Sequence, residues 1–524
     1  MLSKIITASL AGINPFFIYV ETFLSRGLPA FNIIGLPDKI INESKDRIIS
    51  AIKNSEIEFP VKKIIINLAP AGIKKENIIL DLPIAAGILV SMDIVKIKQK
   101  SKNYVFLGEL SLDGSIKGIN GLFPILNLCK NAGIYNIIIP YENLEEAKLI
   151  GGLNLISVKN IKDMIEKVNN NYKLIDYHSE LTNKIYNRPD YSIDFSDVKG
   201  NHHVKRALEI AAAGMHNVIM IGPPGTGKSM LAKRMITIMP ELNMEEAIET
   251  TTIYSSKGLL SRNTSLVVQR PFRSPHHTSS DISIIGGGRI LQCGEISLAH
   301  NGILFFDEFP QFKNNVIQAL REPMVEGSVT VSRVSGTICF PASFMLIAAM
   351  NPCPCGYLGS EKHECRCSLK QIKTYYSKIT GPILDRIDIQ IEIPQTNFLN
   401  YRDEIAENSA TLRERIIKVH KIQQLRSKRL TSYYNAYLDT NEIKKFIALD
   451  SSSLTLLNKA IDALGLSPRS YFKTLKIART IADLEGSEKV TSTHISESLQ
   501  YRILDRNNYF QSDYNINYFN KKFS

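Results

Sequence analysis

The eight residues Gly222, Pro223, Pro224, Gly225, Thr226, Gly227, Lys228 and Ser229 lie between an apolar strand-like run, Val218 to Ile221, and a helix-like run, Met230 to Met235. A glycine-bearing loop in this setting constrains the fold strongly, because a strand of a parallel sheet must pass straight into a helix. The glycines let backbone N–H groups turn inward around phosphates. Lys228 then supplies a point charge to the β and γ phosphates, and the Ser229 hydroxyl can ligate Mg²⁺. The pattern predicts an NTPase that works with Mg²⁺.

Two further apolar runs end in chemistry that fits such a loop. Gly302 to Phe306 reads as a buried strand followed by Asp307 and Glu308. In this architecture a strand beside the P-loop strand delivers a carboxylate to the metal shell and a second one to the attacking water, which assigns Asp307 to Mg²⁺ and Glu308 to general-base chemistry. Phe344 to Met350 reads as a third strand and ends at Asn351, whose neutral amide can hold the same water.

At 524 residues the chain exceeds one ordinary domain. Residues 1–168 alternate short apolar strands and helices, and 169–192 are rich in Asn and Tyr without periodicity, as in a linker. Residues 193–395 carry the nucleotide-binding pattern, 396–505 have helical apolar spacing, and 506–524 form a polar tail. The fold class is therefore α/β, with a P-loop parallel-sheet domain and a helical lid behind a separate N-terminal α/β domain. No stretch reaches 18 uncharged apolar residues, and Met1 to Ile6 do not open a signal peptide, so a soluble cytoplasmic protein without a membrane segment is expected. A net charge of +12 suits nucleic acid or an anionic surface, and also a genome rich in Lys codons.

Seven cysteines do not suggest a disulfide scaffold, but four crowd into Cys353-Pro-Cys355 and Cys365-Arg-Cys367. Two Cys-x-Cys pairs can offer four thiolates to a structural Zn²⁺, with reduced free thiols as the other reading. Four thiolates would leave no open position for a catalytic zinc.

Taken together, Asp197 to Gly200, Lys205 to Ala213, the P-loop, Arg270 to His277, Gly294 to His300, Asn351 to Cys355, Gly381 to Asp388 and Ala478 to Leu484 resemble the magnesium-chelatase-like AAA+ ATPases of the ComM/YifB type. The resemblance runs from residue 1 to about 505, with one departure, Asn201 where Gln is expected. It implies a homo-hexameric ring with ATP at subunit boundaries. It also implies that Arg386 acts in trans as an arginine finger and that Arg469 is a second sensor arginine. The surplus chain between Lys228 and Asp307, including Lys257-Gly258 and the Arg/His run 270–277, resembles a helix-2 insertion, and residues 326–340 read as a hairpin. Lys257 and Arg333 are the candidates for DNA phosphate contacts, with a solvated hairpin tip as the alternative. Adjacent His276 and His277 in a strand would point to opposite faces, which favours packing or DNA contact over a metal site.

The N-terminal domain resembles the Lon-protease (S5-like) fold, but Ile79 and Phe123 stand where its Ser and Lys would be, so an inactive collar is expected. The family's implied activity is branch migration or helicase-type strand exchange on single-stranded or branched DNA. The basic stretch Arg413 to Arg429 favours this reading, or else is a solvated lid face. The alternative is a chelatase-like subunit that remodels a partner protein and does not act on DNA.

Overall fold

The computed structural model describes residues 2–35, 39–70, 78–97, 104–170, 175–176, 191–260, 266–288, 291–333, 336–360, 363–379, 381–395, 406–428, 432–464 and 466–505. The chain forms two compact units.

The first unit comprises residues 1–188 together with 247–267 and 288–292. Its eight-stranded sheet uses β1 (Leu2–Ala11), β2 (Asn14–Ser25), β3 (Ala30–Ile34), β4 (Lys63–Ala69), β5 (Tyr104–Phe106), β6 (Asn136–Pro140), β7 (Asn154–Val158) and β8 (Ile175–Asp176), in the order β8-β7-β6-β5-β1-β2-β4-β3. Buried residues on β1 and β2, including Ile5, Ile18 and Val20, face helix α1 (Asp81–Ser91), which is apolar almost all round, and Ile64, Ile66 and Leu68 of β4 belong to the same core. Gly87 permits that approach, since a Cβ there would stand 2.5 Å from Thr22 Oγ1. Ile79 and Phe123 are buried side chains of this unit. The expected linker begins where a helix ends at Asn169, and Ile175–Asp176 pairs with β7. The rest of the linker at 171–174 and 177–190, and the tail at 506–524, lie outside the described residues.

The helix Met244–Ser256 lies largely within the 247–267 segment. That segment belongs to the first unit, not to the nucleotide-binding one where the chain order placed it. Ser255 fastens it there: its Oγ donates to Glu146 Oε1 (2.6 Å), and its carbonyl accepts from Gly121 N (2.9 Å).

The second unit holds residues 189–246, 268–287 and 293–524. Its sheet comprises β9 (Val218–Ile221), β10 (Phe272–Arg273), β11 (Ile303–Phe306), β14 (Met345–Met350) and β15 (Ile389–Glu392), all parallel in the order β10-β11-β14-β9-β15. Between β11 and β14, β12 (Ser328–Arg333) and β13 (Gly336–Pro341) form the expected hairpin. The runs Ile303-Leu-Phe-Phe306 and Met345 to Met350 are buried throughout, as strands covered on both faces must be. Each of their large side chains contributes about 1.5–3 kcal/mol by leaving water.

Helices α2 (His202–Gly214) and α3 (Lys228–Ile238) pack on this sheet, and the C-terminal part is helical: α4 (Ser409–Ser427), α5 (Ser451–Leu464), α6 (Pro468–Leu484) and α7 (Ser492–Gln500). A small core of Leu457, Leu475, Ala478, Ala482, Val490 and Ile495 holds α5, α6 and α7 together. Asn201, where Gln was expected, precedes α2 with φ 53°, a left-handed conformation that Asn tolerates better than Gln.

Candidate active site

The carboxyl ends of β9, β11 and β14 converge, which is where open parallel sheets bind ligands. From β9 the chain turns through Gly225 (φ 78°) and Gly227 (φ 82°), and α3 starts at Lys228. Both glycines have left-handed backbones, so the loop amides can face a common centre at the positive end of α3. Lys228 is buried, and its Nζ donates to Gly222 O (2.7 Å), Pro223 O (2.8 Å) and Asn351 Oδ1 (3.2 Å). Burial pushes the Lys228 ammonium down to about 8, against the opposing pull of Asp307 and Glu308.

Ser229, one residue into α3, donates from Oγ to Asp307 Oδ2 (2.6 Å) at the end of β11, which is not the neighbour of the P-loop strand as expected but lies one strand away, beyond β14. Glu308 follows with φ 52°, an uncommon conformation for a side chain of this size, and its own N–H donates to Asp307 Oδ1 (3.0 Å). The Glu308 carboxylate is 46% exposed, and His277 Nδ1 stands 3.8 Å from its Oε2. Lys228, Ser229, Asp307, Glu308 and Asn351 are thus brought together as their spacing suggested.

Arg386 and Arg469 are brought to each other. Arg386 donates to Pro382 O (2.6 Å) and Arg321 O (3.2 Å), and Arg469 Nη1 donates to Asp385 Oδ2 (2.9 Å). Partial burial, with Arg321 and Arg469 close by, holds Arg386 below the usual arginine range. Three guanidinium groups gathered in this way suit an anion supplied from outside the chain. The loop that carries Arg386 is braced from behind: Asn217 Nδ2 donates to Arg386 O (3.1 Å), and buried Arg502 donates to Ile387 O (2.7 Å) and Asp388 O (2.9 Å). Asp388 itself is buried against Lys473 (2.7 Å) and His216, which hold it well below the usual carboxylate range although burial opposes them.

Comparison with known proteins shows the family. Residues 194–401 match the family model for magnesium chelatase subunit ChlI, 20–143 match that for subunit ChlI of Mg-chelatase, and 406–502 match its C-terminal model. The chain is 40% identical over 502 residues to competence protein ComM of Haemophilus influenzae, covering 94% of this chain and 96% of that protein. The chain belongs to the ComM/YifB family. YifB of Salmonella typhimurium is 40% identical over 504 residues (95% of this chain, 97% of YifB), and YifB of Escherichia coli is 39% identical over 507 (96% and 98%).

As a ComM/YifB-family AAA+ ATPase, the chain should hold ATP and Mg²⁺, and its residues fit both. The loop carbonyls and Asn351 now occupied by Lys228 Nζ are ligands that phosphate oxygens can replace, and the Ser229–Asp307 pair offers the hard oxygen donors that Mg²⁺ takes. Bound Mg²⁺ would supply positive charge to the phosphates as the terminal bond breaks. The chain's own part is distinct: Lys228 and the loop amides can position the phosphates, Asn351 can orient water, and Glu308 can accept its proton.

Other residues singled out in this ComM/YifB-family chain meet surroundings that the sequence alone does not show. Arg270, read as part of an insertion, is buried beside the sheet. It pairs with Glu246 (2.9 Å) and donates to Pro240 O, Asn301 O and Tyr434 OH, because a guanidinium leaving water needs every donor met. His276 and His277 are in no strand, and their rings lie 4.3 Å apart at 31° rather than diverging. The arginines expected to serve DNA on α4 are largely engaged within the unit: Arg413 with Thr237 O (2.8 Å), Arg415 with Glu209 (2.8 Å) and Arg426 with Asp483 (3.1 Å). Lys418, Lys421 and Lys428 remain exposed, and Arg429 lies outside the described residues. Lys257 donates to Gln292 Oε1 (3.0 Å) within the first unit. Arg333 ends β12 opposite Gly336, and its side chain lies outside the described residues.

Cys353, Cys355, Cys365 and Cys367 are all free thiols whose sulfur atoms lie within 4.8 Å of one another. Arg321 and the His277–Glu308 approach were not foreseen, since neither has a local motif and both arise from long-range packing.

Proposed function

We propose that this chain is an ATP-hydrolysing ring motor, a homo-hexamer, that drives branch migration or strand exchange on single-stranded or branched DNA. The observation that carries the DNA part is the 40% identity, over 94% of the chain, to a protein named for competence, a name that fits incoming DNA as cargo. A net charge of +12 and the exposed lysines of α4 support a polyanionic partner. In this reading Lys228 and Ser229 hold ATP and Mg²⁺ with Asp307, Glu308 activates water, and Asn351 senses the terminal phosphate. Arg386, with Arg469 beside it, reaches the site of the next subunit. Cys353, Cys355, Cys365 and Cys367 hold a structural Zn²⁺.

The match of three chelatase-subunit models across residues 20–502 favours a second reading, an ATP-driven remodeller of a partner protein. ATP turnover measured at low salt with and without single-stranded and forked DNA, beside strand displacement on a four-way junction, separates the two. Stimulation and junction movement are expected for the motor. Indifference to DNA in both assays would favour the remodeller.

A further inference from the structure

The cysteine cluster is built into the ATP site. β14 runs beside the P-loop strand, with Met350 O accepting from Gly222 N (3.2 Å), and the next residue, Asn351, accepts from Lys228 Nζ (3.2 Å). Cys353 comes only two residues later. Gly356, inside the same loop with φ 87°, lies so close to the phosphate loop that a Cβ there would stand 2.8 Å from both Cγ and Cδ of Pro224. On the far side, Cys367 leads straight into the helix Leu369–Ser377. That helix returns Tyr376 to the loop, where its hydroxyl donates to Pro352 O (2.8 Å). Asn351 is therefore flanked on its C-terminal side by a loop whose shape depends on what holds Cys353, Cys355, Cys365 and Cys367 together.

The sulfur geometry suits one ion. Cys353 and Cys355 sulfurs are 3.3 Å apart, Cys353 and Cys365 3.7 Å, and Cys355 and Cys365 3.6 Å. Thiolates around tetrahedral Zn²⁺ at about 2.3 Å lie about 3.8 Å from each other. Disulfide bonds would need about 2.05 Å. Two amides already point at sulfur, Leu358 N at Cys353 Sγ and Cys355 N at Cys367 Sγ, both at 3.3 Å, which is how backbone donors stabilise thiolates that share a cation.

We propose that one Zn²⁺ held by Cys353, Cys355, Cys365 and Cys367 is a positioning brace for Asn351, so that ATP turnover depends on this ion while nucleotide binding does not. The proposal rests on the ATPase reading above. Nucleotide binding is spared because the loop amides and Lys228 hold the phosphates, whereas Asn351 matters to the orientation of water. Without the ion, the loop that fixes the Asn351 amide loses its cross-link.

The test uses the full chain. Zinc content, ATP turnover and affinity for a fluorescent ATP analogue are measured on the wild type, on Cys365→Ser/Cys367→Ser, on Asn351→Ala, and on the combination. A second arm strips wild-type zinc with a mercurial and refills it after thiol reduction, which decides the matter even where the cysteine variant fails to fold. The expected result is about one Zn²⁺ per wild-type chain and little in the cysteine variant. Turnover in that variant should fall by about 10–100-fold, with nucleotide affinity within about threefold. Asn351→Ala should lose a similar amount, with little further loss in the combination, and refilling should restore stripped protein. Wild-type protein without zinc, turnover unchanged after zinc loss, or fully additive losses would overturn the brace. A zinc-loaded wild type that hydrolyses no ATP would instead count against the ATPase reading, whereas ATP turnover indifferent to zinc counts against the brace alone.

Discussion

Ser229 Oγ donates a 2.6 Å hydrogen bond to Asp307 Oδ2, joining the first turn of α3 to the end of β11 across the intervening strand β14. The two oxygens can become neighbours in one Mg²⁺ shell with little movement of backbone. Asp307→Asn should therefore lower ATP turnover by about 10²–10³-fold, and Ser229→Ala should raise the Mg²⁺ concentration needed for half-maximal rate. Turnover titrated against Mg²⁺ in both variants checks this; an unchanged Mg²⁺ requirement in Ser229→Ala would remove the hydroxyl from the metal shell.

Glu308 sits on a left-handed backbone with its carboxylate half open to solvent. Replacing it with Gln preserves shape and removes the basic oxygen. Glu308→Gln should bind ATP as tightly as wild type and lose turnover by about 10²-fold or more. A single-turnover quench of bound radiolabelled ATP is the direct readout, and rapid hydrolysis in this variant would exclude Glu308 as the base.

Lys228 gives a pH dependence with a definite sign. In the free protein burial lowers its pKa to about 8. Phosphate favours the ammonium form, so ATP affinity should be flat well below that value. Above it, affinity should fall toward about tenfold per pH unit, as binding must take up a proton. Calorimetric titrations in two buffers of different ionisation enthalpy should show that uptake on the alkaline side. No uptake at about pH 9 would mean that the free lysine is already fully charged.

The Arg270–Glu246 pair is buried on both sides, at 2% exposure for each side chain. Glu246→Ala leaves a guanidinium without its counter-charge and should destabilise the second unit by about 3–5 kcal/mol, whereas an apolar replacement of both partners should cost far less. Denaturant midpoints of the single and double variants decide it; equal losses in the two would contradict the pairing.

The parts of the site written in short range were legible in the sequence. Gly222 to Ser229, Asp307, Glu308 and Asn351 each sit where an apolar strand ends, so their convergence follows from packing three such strands in parallel. The Cys-x-Cys pairs were legible for the same reason. Charge without partners was not: Arg413, Arg415 and Arg426 read as a basic surface, but Thr237 O, Glu209 and Asp483, distant in sequence, claim them. The burial of Arg270 is equally illegible, since it depends on Glu246 and Tyr434, both distant in sequence. The 247–267 segment follows the P-loop helix in sequence but packs with Gly121 and Glu146, a choice set by tertiary hydrogen bonds that no periodicity encodes.

The central proposition is that ATP is hydrolysed only where two subunits meet, with Lys228 from one and Arg386 from the other. Lys228→Ala and Arg386→Ala should each be nearly inactive alone. Mixed at equal concentration and allowed to exchange subunits, they would form intact sites at about a quarter of the interfaces of a cyclic ring. The decisive measurement is ATP turnover of that mixture: recovery well above either variant alone is the result expected, and turnover no higher than that of the separate variants would contradict a site shared between subunits.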